Sequence, residues 1–229
     1  MRTLITGGSG FIGSQVATRM ESINDVIIVD NKTTYNHHSK DMMRQLHENR
    51  GLMISSPIIE ADLSDATVCK EVMLKIKPDR IIHLAAYPNQ KLVMKNPQHA
   101  ARLMCESLIN MIEWSKRTCQ KFIYVSSSMV YGDFKDRVKE TETCTPKGLY
   151  GMLKLTGERI VSDYARQGYF NHVIIRPSAV YGPGDTNDRV VAKFMQLAMK
   201  NDRLKVQGAD EILDFTHVQD LADGIVLAA

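Results

Sequence analysis

Eight residues near the start of the chain restrict its fold more than any others: Thr6-Gly7-Gly8-Ser9-Gly10-Phe11-Ile12-Gly13. They sit between a short apolar run, Thr3–Thr6, and a segment read as a helix, Phe11 to Glu21. Gly7 permits a tight turn, Gly10 lets backbone approach a pyrophosphate without a Cβ in the way, and Gly13 allows the helix to lie close to the strand. The first turn of such a helix offers free N–H groups and the positive end of its dipole. A lone glycine motif is weak, but this one has the strand–turn–helix setting and an acid, Asp30, closing the second apolar run. The spacing predicts a dinucleotide cradle. Asp30 would accept hydrogen bonds from the adenosine ribose hydroxyls, whereas a 2′-phosphate would meet its carboxylate, so NAD is expected rather than NADP. Lys32, two residues on, works against that preference.

The remaining chain repeats the same alternation. Apolar runs at Thr3–Thr6, Val26–Asp30, Ile58–Ala61, Arg80–Leu84, Lys121–Ser126 and His172–Arg176 read as strands covered on both faces. Helices are expected over Phe11 to Glu21, Asp65 to Ile76, Gln98 to Lys116 and Tyr150 to Gln167, the last ending at Gly168. Strand–helix–strand repeats imply parallel strands joined by right-handed crossovers. The expected fold is α/β, a doubly wound parallel sheet of the Rossmann type, with a small and short C-terminal substrate-binding region. Residues 1–176 would form the NAD-binding domain. Residues 177–229, shorter in their segments and more polar, would cover the substrate.

Composition removes several classes. With 44% hydrophobic and 24% charged residues the chain is not disordered. No apolar stretch is long enough for a bilayer, and Met1-Arg2-Thr3 leads into a strand with no room for a secretory signal. A balance of +3 is too weak a field to argue for nucleic acid. Cys69, Cys105, Cys119 and Cys144 are widely spaced, as expected of free thiols in a reducing cytoplasm. No His/Cys/Asp/Glu set has metal-ligand spacing, and adjacent His37 and His38 do not readily face one ion, so no metal is expected.

Further motifs follow in order: VDN (29–31), ADL (61–63), KPDRIIHLAA (77–86), KFIYVSSSMVYGD (121–133), YGMLK (150–154), RPSAVYGPGD (176–185) and DFTHVQDLADG (214–224). With TGGSGFIG (6–13) they resemble, nearly end to end, the extended short-chain dehydrogenase/reductase superfamily. The closest likeness is to its NAD-dependent nucleotide-sugar epimerases and dehydratases. The resemblance implies catalytic roles for Ser127, Tyr150 and Lys154. It places the cofactor against Gly7, Gly10, Phe11, Ile12, Gly13, Asp30, Asn31, Asp62, Leu63, Leu84, Ala85, Ala86, Tyr150, Lys154 and Pro177. Ser127, Ser128 and Arg189 would meet the substrate. Asp62 is read either as an adenine contact or as a helix cap. His83 is read as a structural strand-end residue. The serine register is open by one position on either side of Ser127.

Physical chemistry makes sense of these roles. Tyr150 and Lys154, four residues apart, share a helix face. A phenol with a pKa of about 10 is a poor base at neutral pH. The Lys154 ammonium and a positive nicotinamide would favour the phenolate. Lys154 would also hold the nicotinamide ribose, and Ser127 would orient the substrate hydroxyl.

The residues after Ser127 narrow the reaction. In the resembled 4,6-dehydratases the next two positions are Asp and Glu, and the related decarboxylases usually carry the Glu. Here they are Ser128 and Met129, and methionine transfers no proton. The serine-rich version resembles UDP-galactose 4-epimerase. The implied chemistry oxidises the sugar 4-hydroxyl, turns the 4-keto sugar over and returns hydride to its other face. The alternatives are an NAD(P)H-dependent keto-sugar reductase or a non-catalytic cofactor-binding protein.

The chain also departs from the family's pattern. The expected diphosphate-binding Arg is Leu213, with Arg189 or Lys193 read as its substitute. A customary Asn is replaced around Met104, and the chain stops at Ala229 within an expected helix. Asn187 and Asp188 are read as substrate-approaching or as helix caps. The apolar face of residues 98–116 is read either as a homodimer surface or as a core stripe.

Overall fold

Hydrophobic alternation on two adjacent positions builds the sheet. In the computed structural model, Leu4 and Ile5, Ile81 and Ile82, and Phe122 and Ile123 are fully buried, one of each pair on either face. The structure describes residues 1–33, 40–133, 137–186, 189–206 and 213–229. Six strands, β1 (Arg2–Thr6), β2 (Asp25–Asp30), β3 (Ile58–Glu60), β4 (Arg80–His83), β5 (Lys121–Val125) and β6 (Asn171–Ile175), lie in the order β3-β2-β1-β4-β5-β6. All pairings are parallel. The order reverses between β1 and β4, and a crevice opens there at the carboxyl ends of the strands.

Among the described residues eight α-helices accompany the strands: α1 (Phe11–Met20), α2 (Lys40–Gly51), α3 (Ala66–Ile76), α4 (Gln90–Lys95), α5 (Pro97–Ser115), α6 (Leu149–Arg166), α7 (Val190–Met199) and α8 (Val218–Ala228). On one face Cys69 and Met73 of α3, Leu108, Met111 and Ile112 of α5 and Val161 of α6 meet Leu4, Ile81 and Phe122. On the other, Val16, Ala17 and Met20 of α1 and Leu221, Ala222 and Ile225 of α8 meet Ile5, Ile28, Ile82 and Ile123. The expected stripe of residues 98–116 is therefore largely spent inside the chain. Leu103, Met104, Leu108, Met111 and Ile112 are buried, while Trp114 is exposed.

Three expectations need adjustment. Helix α3 begins one residue later than expected, because Asp65 is its cap, accepting from the backbone N–H groups of Thr67 and Val68. The segment after Pro177 is more than a cover. Val180, Val218, Leu221, Ala222 and Ile225 complete the second core layer, and Tyr181 pairs in parallel with His217. Helices α2, α4 and α7 were not expected. Helix α2 is polar over most of its length, with few apolar residues, and α7 buries no residue at all. The histidine pair 37–38 and Asn187 and Asp188 lie outside the described residues.

Candidate active site

The glycine turn closes against the end of β4. Gly7 has φ of +69°, and a Cβ there would come within 2.8 Å of the Ala85 backbone nitrogen. A Cβ on Gly13 would come within 2.2 Å of the Gly7 carbonyl oxygen. These positions admit no side chain, which keeps a backbone-lined cradle at the start of α1. Asp30 braces it: one carboxylate oxygen accepts from Ser9 N–H at 2.9 Å and the other from Lys32 N–H at 2.8 Å.

From this cradle a cavity of about 430 Å³ runs to the end of β5. That is within the range of small-molecule and cofactor sites. Its wall includes all of the expected cofactor contacts: Gly7, Gly10, Phe11, Ile12, Gly13, Asp30, Asn31, Asp62, Leu63, Leu84, Ala85, Ala86, Tyr150, Lys154 and Pro177. Ser127, Ser128 and Arg189 line it as well, as does Met129. Backbone cradle, carboxylate and tapering apolar wall together fit a dinucleotide. Lys193 and Leu213 are not part of the wall, and Leu213 is half exposed.

At the far end the side chains hold one another. Tyr150 and Lys154 are buried on one face of α6. Lys154 Nζ donates to the Val125 carbonyl at 2.8 Å and lies 6.0 Å from the centre of the Tyr150 ring. The Ser127 hydroxyl is within hydrogen-bonding reach of the phenol and accepts from Met129 N–H at 3.2 Å. Of the three neighbouring serines, Ser127 is the one whose hydroxyl opposes the upward shift of the Tyr150 phenol. The α6 N-terminus has no side-chain cap of its own, and Gln90 Oε1 from α4 accepts from Tyr150 N–H at 2.8 Å.

Burial raises the Tyr150 phenol above its ordinary value, and what opposes this is the Arg189 guanidinium and the Ser127 hydroxyl. The Lys154 ammonium, turned toward Val125, is itself pulled down to about 8 by burial, with Glu158 opposing. The protein by itself therefore does not lower the phenol. His83 is pushed to about 3 by burial and by Lys154, and shares a 2.7 Å hydrogen bond with Thr6 Oγ1. It is a neutral structural histidine, as expected.

Asp62 does not cap a helix; its carboxylate accepts from Ser64 N–H and Oγ. Asn110 Nδ2 donates to the carbonyls of Leu63 and Ser64, fixing that wall from α5. Sequence reasoning missed Asn110, Gln90 and the α2 residues Met43, His47 and Arg50, all but Asn110 and Gln90 being in the wall itself. Arg50 donates to the Gly184 carbonyl through Nε at 3.2 Å and a terminal nitrogen at 2.6 Å. Helix α2 carried too few apolar residues to announce a buried face.

Comparison with known proteins agrees with this geometry. Residues 3–229 match the NAD dependent epimerase/dehydratase family. The uncharacterized UDP-glucose epimerase YtcB of Bacillus subtilis is 30% identical over 98% of the chain and 71% of its own length. UDP-glucuronate 4-epimerase 1 of Arabidopsis thaliana is 28% identical over 96% of the chain and 53% of its own. UDP-glucuronic acid decarboxylase 3 of the same plant is 30% identical over 99% and 65%. The chain thus spans between about half and three quarters of these relatives. Among solved structures, the Bacillus cereus UDP-glucuronic acid 4-epimerase, in complex with UDP-glucuronic acid and NAD, superposes with a TM-score of 0.85 at 27% identity, covering 100% of this chain and 73% of that one. The Thermotoga maritima UDP-glucose 4-epimerase with UDP-glucose gives 0.85 at 26%, again over 100% and 73%. Sheet order, glycine cradle and nearly full-length sequence match agree: the chain belongs to the NAD-dependent epimerase/dehydratase family.

Proposed function

We propose that this chain carries an NAD-dependent nucleotide-sugar 4-epimerase activity on a UDP-sugar. One observation carries the reading. A single cavity joins the glycine cradle to Ser127, Tyr150 and Lys154, with Met129 in its wall where elimination or decarboxylation would require a proton donor. Bound NAD supplies the hydride acceptor and donor. The backbone at Gly10, in a turn kept tight by Gly7 and Gly13, would hold its pyrophosphate, and Asp30 and Asn31 would hold its adenosine ribose. Tyr150 takes the proton of the sugar 4-hydroxyl and later returns one. Ser127 orients that hydroxyl, and its own hydrogen bond favours the phenolate. Arg189 does the same by charge and meets the substrate diphosphate, in the absence of the Arg that Leu213 replaces. Lys154 holds the nicotinamide ribose, and Ser128 contacts the sugar.

In this reading residues 1–176 bind the cofactor and residues 177–229 supply substrate elements interleaved with the core. Among the described residues no helix is long and apolar enough to cross a membrane. The four cysteines are free, which supports a reducing cytoplasmic location. Exposed Ile109 and Trp114 on α5 and Met152 on α6 support a homodimer through these helices.

The test is a screen of UDP-sugars by NMR on purified protein, with absorbance followed at 340 nm. The expected result is 4-epimer interconversion with no net absorbance change, and a light-scattering mass of two chains. Tyr150→Phe should slow turnover by about 10²- to 10⁴-fold while NAD stays bound. Stoichiometric consumption of NADH would instead establish the reductase. Indifference to Tyr150→Phe would establish a non-catalytic binder.

A further inference from the structure

Helix α6 carries Tyr150 in its first turn, and its own sequence gives that turn no cap. Helix starts are ordinarily closed by a Ser, Thr, Asp or Asn whose side chain accepts from a free N–H two or three residues on. Helices α3, α4 and α5 follow that rule through Asp65, Asn89 and Asn96. The cap position of α6 is Gly148. Its backbone, at φ −125° and ψ 156°, is extended and does not require glycine. What a side chain would meet there is Gln90 of α4. A Cβ on Gly148 would come within 2.8 Å of the Gln90 amide atoms Cδ, Nε2 and Oε1. From this place Gln90 Oε1 accepts from the Tyr150 N–H at 2.8 Å, the bond a local cap would have made. Gly148 and Gln90 are a matched pair, in which a residue 60 positions before Tyr150 replaces the cap.

Helix α4 also belongs to the cavity. Gln90 is its first residue, and Tyr87, Asn89 and Leu92 around it line the wall. Tyr87 and Leu92 share a buried cluster with Tyr150 and Leu153 of α6 and Leu103 of α5. The wall at α4 and the first turn of α6 are therefore joined twice, by apolar packing and by the amide. Tyr150 is held at both ends, its backbone by Gln90 and its phenol beside Ser127. A small misplacement of a reacting group costs rate steeply, even when ligand binding is untouched.

We infer that Gln90 is a positioning residue for the reaction: by accepting from the Tyr150 N–H it fixes the first turn of α6, and with it the place of the phenol against the cavity wall. The inference rests on the proposed role of Tyr150 in proton transfer. Gln90 is not itself part of the wall, so it acts through Tyr150.

The experiment compares the wild type, Gln90→Met, Gln90→Ala and the double variant Gln90→Ala/Gly148→Ser. Methionine keeps bulk against Gly148 without the amide acceptor. Alanine opens the space that a Cβ at position 148 needs, and a serine at a cap position can accept from the same N–H. The measurements are kcat and KM for 4-epimer interconversion with UDP-glucose and UDP-glucuronic acid as probes, NAD binding by calorimetry, and the NMR signal of isotope-labelled Tyr150 Cζ, assigned by its loss in Tyr150→Phe. Both single variants should lower kcat by about 10- to 100-fold, with KM and NAD affinity unchanged, and should move the Tyr150 signal. The double variant should return kcat and the signal most of the way to the wild type. Single variants with wild-type kcat and an unmoved signal overturn the inference, as does a double variant that recovers neither. Failure of both single variants to fold overturns it too, because Gln90 would then be holding the fold and not the phenol. A wild type that interconverts neither sugar defeats the proposed activity, and the Tyr150 signal alone then decides the role of Gln90.

Discussion

The two ends of the cavity are finished differently. At the reaction end several polar side chains are paired within the protein: Lys154 with Val125, Ser127 with Met129 N–H and His83 with Thr6. Behind them Arg176 makes a two-pronged ion pair with Glu158, at 2.9 and 2.7 Å, and donates to the Tyr131 hydroxyl. The exception is Ser126, whose buried hydroxyl has no partner among the described residues. At the adenosine end the Ser9 hydroxyl and both His47 nitrogens are left without one. Groups that must act on a reacting atom are fixed in advance, where reorganisation would add to the barrier.

The sharpest way to break this contrast is Arg176→Met. It leaves Glu158, almost fully buried, without its partner and one helical turn from Lys154. Unfolding by denaturant should show a loss of about 3–5 kcal/mol. A loss below about 1 kcal/mol would mean that the reaction end is not held from behind. Next comes Gly7→Ala. Positive φ and contact with the Ala85 backbone should together cost about 1–3 kcal/mol, and ADP-ribose binding should weaken with it. Unchanged binding would show that the cradle tolerates a Cβ.

The smallest effect is a pH slope. Lys154 titrates near 8 in the folded protein against 10.5 for the free side chain. Between those values the unfolded chain holds more protons, so this group's contribution to stability rises with pH from about 8 toward 10 and is lost as pH falls through 8. The slope is at most about 1.4 kcal/mol per pH unit. The stability difference between the wild type and Lys154→Met should shift toward the wild type over that window. A flat difference would place the ammonium in a wetter site than the geometry gives.

Much of this was legible in the linear chain where one residue type answers a local demand. The six apolar runs became the six strands, with ends differing by a residue or two. The cradle was legible because Gly7 and Gly13 are required by backbone contacts within a single strand–turn–helix unit. Helix α2 was not, since its buried face is a methionine, a histidine and an arginine amid polar residues. The surroundings of Tyr150 were only partly legible for a related reason. Helical spacing puts Lys154 on the same face, but it does not reveal that Nζ turns to the Val125 carbonyl while Arg189 approaches from after Pro177.

The sequence alone determined the doubly wound sheet, the dinucleotide cradle and the placing of Tyr150 and Lys154 on one helical face, because alternation, turn geometry and helical spacing are local properties of the chain. Tertiary structure decided where the Lys154 ammonium turns, how deeply Tyr150 is buried and that α2 joins the cavity wall. Those outcomes depend on burial and on contacts between segments far apart in the chain, such as 127 with 150 and 50 with 184, and no local pattern encodes the dielectric or the partner a side chain meets once the chain has closed.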